Sequence, residues 1–153
     1  MSRNQQDPIH FIVKELQEQS EQIAFELDFF AGILERDPSN IRVLVAQAEN
    51  YSLLGSFRDS LPLDIRLTRL RPERSVFWYN LACSYSRLKM VDPAFEALNE
   101  AIRRGYDDFP HLIKDADLKH LRSDARFMTL VREYRTGVTK APKKPNPRSN
   151  PAE

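Results

Sequence analysis

Three groups of side chains in this 153-residue chain carry the chemistry for a reaction or a tight ligand. His10, His111 and His120 have the imidazole nitrogens that bind metals, but they form no HExxH or His-x-His pattern. The nearest two, His111 and His120, are separated by an expected helix break, so a shared metal is not expected. Asp107, Asp108, Asp115, Asp117 and Asp124 are acidic enough to suggest calcium, yet no DxDxDG loop with a distal Glu surrounds them. Helix caps and solvated loop faces account for them better. Cys83 is the sole cysteine and has no His or Asn partner pattern, so it reads as a packed or groove-facing thiol rather than a nucleophile. No serine lies in a GxSxG elbow, and no carboxylate pair stands out for acid and base work. The residues therefore predict neither an enzyme nor a cofactor.

Charge narrows the partners. Lys plus Arg number 23 against 22 Asp plus Glu, a net +1 that provides no attraction to a polyanion, so nucleic acid is not an expected partner. Lys140, Lys143, Lys144 and Arg148 gather in a proline-rich C-terminal stretch, 137–153, without interleaved aromatics for base stacking, and a solubilising, disordered basic tail is expected. No apolar run approaches the roughly 18 residues of a membrane span. The N-terminus is interrupted by Lys14 and Glu15 where a signal peptide would be apolar, and one cysteine excludes an internal disulfide. Together these predict a cytoplasmic protein with no membrane span.

Only 4 glycines punctuate the chain, which suits helices joined by tight turns. Pro38 and Pro72 are 34 positions apart, and that shift also brings Ala48 onto Ala82, Tyr51 onto Tyr85, Leu54 onto Leu88 and Ser60 onto Ala94 without a gap. A unit of this length is two helices, neither of which can bury its apolar stripe alone. In the first unit Ile41, Leu44, Val45, Ala48, Tyr51 and Leu54 step by threes and fours up to Gly55, and a second helix is expected with Asp59 as cap and Pro62 in its first turn. In the second, Phe77 to Leu88 forms one helix, and Asp92-Pro93 is expected to cap the next, which Gly105 closes. Upstream, Ile9, Val13, Leu16, Ser20, Ile23, Leu27, Phe30 and Leu34 follow a 4-3 spacing that suits one long helix interrupted only by Ser20. Downstream, short helices lead to a terminal helix from about Asp124 to Arg135, with Phe127, Leu130, Val131 and Tyr134 on its apolar face.

The stretch SVFWYNLACSYSRLKMVDPAFEALNEAIRRG resembles the tetratricopeptide repeat family. Trp78, Leu81, Ala82, Tyr85, Ala94, Leu98 and Ala101 fill seven slots of that family's pattern, and only its closing proline is absent, replaced by Tyr106. The preceding repeat matches through Ala48, Tyr51, Gly55, Ser60 and Pro72, but places Gln47 and Asp64 where apolar residues are usual. The segment after Gly105 is similar to the ends of small bacterial tetratricopeptide proteins. The resemblance implies an all-α, TPR-like α-solenoid of antiparallel helix pairs: 1–40 an N-terminal helical region with a partial repeat, 41–74 a divergent repeat, 75–108 a well-matched one, and 109–136 C-terminal capping helices.

In that family the first helices of successive repeats line a concave groove that takes a peptide or protein segment. Carried onto this chain, the groove slots are Arg42, Val45, Glu49 and Ser52, then Val76, Tyr79, Asn80, Cys83 and Arg87. Asn80 would hold a peptide backbone, Tyr79 would offer a rigid surface, and Arg42 or Arg87 would pair with a carboxylate. Val45 and Tyr79 stand where clamp lysines would be expected, and Cys83 where an Asn would help, so a C-terminal carboxylate clamp does not follow. The expected function is a non-enzymatic adaptor or scaffold with a protein or peptide partner. The alternative is a structural protein that forms a homodimer through its N-terminal apolar helix.

Overall fold

The computed structural model describes residues 8–135, and the expected basic tail lies outside them. Those residues are all-helical, with no strand among them. The order is α1 (Pro8–Arg36), α2 (Ile41–Leu53), α3 (Phe57–Leu70), α4 (Ser75–Arg87), α5 (Val91–Arg103), α6 (Phe109–Lys114), a 3-10 turn at Ala116–Leu118, α7 (Lys119–Arg122) and α8 (Ala125–Arg135). From α1 to α5 each helix packs on the next, and the short elements after α5 fold back so that the 3-10 turn and α7 cover α4.

The 34-residue period is written into the backbone. Ile41 and Ser75 open helices 34 positions apart, and so do Phe57 and Val91. Their connections share one geometry: Ser56 N–H donates to Tyr51 O at 2.8 Å, Met90 N–H to Tyr85 O at 2.9 Å, and Tyr106 N–H to Ala101 O at 2.9 Å. This six-residue closure needs a left-handed residue just before the donor, and Gly55 (φ 72°), Lys89 (φ 61°) and Gly105 (φ 94°) supply it. Lys89, with a Cβ, does so at a cost that glycine avoids.

The tight closure also moves two expected helix starts. It delivers the chain directly into the next helix, so α3 begins at Phe57 after Ser56, and α5 at Val91 after Met90. Asp59 and Asp92 therefore sit inside the first turns as acidic residues near the positive helix end, rather than as caps. Pro62 falls within α3, and the Arg58 carbonyl loses its usual intrahelical donor. At α2 the start is conventional, with the Asn40 side chain accepting from Val43 N–H at 3.2 Å.

Two apolar clusters hold the helices together. Leu44, Leu67 and Phe77, flanked by Leu34, Ile41 and Val45, join α1, α2, α3 and α4. A larger cluster runs from Leu81, Ala82 and Ala94 through Leu98 and Ala101 to Leu112, Leu118, Leu121 and Phe127. Ala82, Ala94 and Ala101 are fully buried, and their small side chains permit close helix approach where a larger one would overpack. In α8 the expected face is the buried one: Phe127, Leu130 and Val131 are in the core, and the Tyr134 ring stacks on Phe109 at 3.5 Å between centroids.

Candidate functional site

The first helices of the two 34-residue units, α2 and α4, face a cleft of about 400 Å³. Ala48, Glu49, Ser52 and Leu53 of α2 form one wall, and Asn80, Cys83 and Ser84 of α4 the other. Phe57 and Asp64 of α3 and Asp117 of the 3-10 turn complete the lining. The spacing of α2 explains the wall: residues 48, 49, 52 and 53 stand at i, i+1, i+4 and i+5, along one side of the helix.

The cleft is acidic. Glu49, Asp64 and Asp117 contribute carboxylates, while the Arg87 guanidinium is engaged beside Asp117 and Phe57. Arg87 approaches Asp117 at 3.7 Å and lies over the Phe57 ring at 4.7 Å. Asp64 is only 3% exposed, and its Oδ2 accepts a 2.6 Å hydrogen bond from the Ser84 hydroxyl, which itself lies 3.1 Å from the Ser60 hydroxyl. Burial raises the Asp64 carboxyl to about 6, with the Ser84 bond opposing part of that rise. Asp117 is raised as well, by burial and then by the charge of Asp115, against the pull of Arg87. A recess with carboxylates, hydroxyls and the Asn80 amide, and with little positive charge of its own, suits an ammonium or guanidinium group.

Apart from Arg87, paired with Asp117, the expected groove residues divide into three sets. Glu49, Asn80 and Cys83 meet at the cleft, with Ser52 beside them. Arg42 is exposed, Val76 is 39% exposed, and Val45 packs partly against the Leu44 cluster, so these three sit apart from it. Tyr79 is not an open surface: it is 5% exposed, its ring stacks on Tyr106 at 4.1 Å, and its hydroxyl donates to Asp115 Oδ2 at 2.6 Å.

Asp115 ties down the C-terminal cover over this part of α4. Its Oδ2 also accepts from Cys83 Sγ at 3.8 Å and lies 3.3 Å from His111 Nε2, while Oδ1 accepts from Asp117 N–H at 2.9 Å. Arg122 Nη1 donates to the Asp115 carbonyl. Burial foremost, then the Asp115 and Asp117 charges, pushes the Cys83 thiol well up, which favours its neutral form. Burial is also the main cause that raises the Tyr79 phenol.

Asp64, Ser84 and Asp117 are the polar lining groups that groove spacing misses. Asp64 has a signal in the sequence, as a carboxylate in a slot of the repeat pattern that is normally apolar. Ser84 and Asp117 have none, because a small polar residue on a packed helix and an acid in a loop are both commonplace. Among the described residues no group of three or more His, Cys, Asp or Glu is placed to hold a metal ion. No helix there is long and apolar enough to cross a membrane.

No family model matches the chain. No solved structure matches it either. A segment of 62 residues, 40% of the chain, is 42% identical to a chloroplastic protein of Arabidopsis thaliana, and it spans 18% of that protein.

Proposed function

We propose that the chain is a non-enzymatic protein-binding module, a TPR-like α-solenoid capped at both ends, whose α2–α4 cleft receives a lysine or arginine side chain from a partner segment. The observation that carries this reading is Asp64, a carboxylate 3% exposed that lines an open cleft with Glu49 and Asp117. A buried charge is costly unless it is paired, and a cationic side chain entering here would complete the pairing. The solenoid assignment is supported by helix starts repeated at 34 positions and by the shared turn at Gly55 and Lys89. The adaptor reading draws support from the site: Ser84 is 2% exposed and donates its hydrogen bond to Asp64, and burial favours the neutral thiol of Cys83. The compartment is a reducing one, the cytoplasm on the residues alone, or the plastid interior on the likeness to the chloroplastic protein.

Titration with N-acetyl-arginine amide, followed by backbone amide shifts, tests the reading, with the isosteric but neutral citrulline amide as control. Saturable shifts at Glu49, Asn80 and Ser84 with the arginine probe, weakened about tenfold by Asp64→Asn, are expected. Shifts that are equal for both probes, or that map away from the cleft, would sink it.

A further inference from the structure

We propose that the acidic cleft is one half of a two-signed site, and that a basic recess beside it takes a carboxylate side chain from the same partner segment. The ligand is then an extended stretch with Lys or Arg two residues from Asp or Glu. The inference rests on the reading of the α2–α4 cleft as a cation site and adds what must accompany that cation. The second recess, of about 570 Å³, is lined by the Gly55 turn and by side chains of three helices. Arg58 reaches it from α3, Arg87 from α4, and Lys119 and His120 from α7. Phe57 lines this recess and the acidic cleft alike, so the two share a wall.

An ion pair stands on that boundary and sets its polarity. Asp117 lines the acidic cleft, and Arg87, its partner, lines the basic recess. Their 3.7 Å separation is longer than a hydrogen bond, and the side chains are 39% and 42% exposed, so each can take a second partner on its own side. Asp117 is incompletely neutralised: burial and the Asp115 charge raise its carboxyl against the pull of Arg87. A ligand cation therefore belongs beside Asp117 and a ligand anion beside Arg87.

Charge selects the anion. Among the described residues the side chains of Arg58, Lys119 and His120 form no ion pair or hydrogen bond, although Asp59 lines the same recess. With His neutral, Arg58 and Lys119 bring two positive charges against one from Asp59, while Arg87 is shared with Asp117. An excess of one matches a carboxylate better than a phosphate, which carries close to two negative charges. Spacing selects the form of the segment. Side chains two residues apart in an extended chain lie on one face, about 6.6 Å apart, which sets one ligand charge beside each member of the Arg87–Asp117 pair. Adjacent side chains point to opposite faces and cannot do so.

Titration of the full chain with N-acetylated, amidated tripeptides tests this, with amide shifts at Phe57, Arg58 and Lys119 reporting the recess and those at Glu49, Asn80 and Ser84 the cleft. Arg-Ala-Glu, or the same residues in reverse order, should bind about tenfold more tightly than its glutamine counterpart, and the gap should close at high salt. Arg58→Gln with Lys119→Gln changes two exposed, unpaired side chains, so it should leave the melting temperature unchanged and erase the gap. Equal affinity for the glutamate and glutamine peptides, a gap that survives the double substitution, or tighter binding of Arg-Ala-phosphoserine would each overturn the proposal and leave the cation reading of the cleft standing. Citrulline-Ala-Glu binding as tightly as Arg-Ala-Glu would overturn both.

Discussion

Asp64 is the residue on which the chemistry turns. Its unfolded pKa lies near 3.9, whereas burial holds it at about 6 in the fold. Between those values the folded chain keeps a proton that the unfolded chain has released, so stability falls as pH rises through the window, and the cost is fully present above about 6. Asp64→Asn, which can still meet the Ser84 hydroxyl, should therefore stabilise the protein by about 2 kcal/mol at pH 7 and by almost nothing below about pH 4. Denaturant unfolding at both pH values checks the sign. Cys83 provides a second residue-scale test: native protein at about pH 8 should react far more slowly with a disulfide reagent than unfolded protein, because its thiol is 8% exposed and raised.

At the scale of elements, the repeated turn is the feature open to change. Lys89 occupies with a side chain the left-handed position that Gly55 and Gly105 fill without one. Lys89→Gly should stabilise by about 0.5 to 1 kcal/mol, read as a rise of a few degrees in melting temperature. The α8 cover behaves oppositely: Phe127, 1% exposed, is central to the C-terminal packing, and Phe127→Ala should cost about 3 to 4 kcal/mol and speed Cys83 labelling as the cover loosens. The 34-residue period and the α8 face were both legible in the sequence, because apolar periodicity is a local signal with many residues behind it. Helix starts after Gly55 and Lys89 were not. Asp59 and Asp92-Pro93 look like caps in isolation, and the six-residue closure that overrides them is set by the backbone of the preceding helix. Tyr79 shows the same limit for the site: its slot on α4 was legible, but its burial depends on Asp115 and Tyr106, 36 and 27 residues further along the chain.

For the whole molecule, the consequence is a groove smaller than the repeat pattern alone suggests. The C-terminal segment covers the Tyr79 side of α4, and what stays open is the acidic cleft where α2, α3 and α4 meet. Binding there should depend on pH with the opposite sense to stability: a cationic side chain favours ionised Asp64, so affinity should be highest above about pH 6 and fall below it as the carboxyl protonates. The most direct measurement is the carboxyl carbon resonance of Asp64 titrated against pH, with and without saturating N-acetyl-arginine amide. A cation-binding cleft requires a midpoint near 6 in the free protein and a clear fall when the probe is bound. A midpoint that does not move on saturation would contradict it.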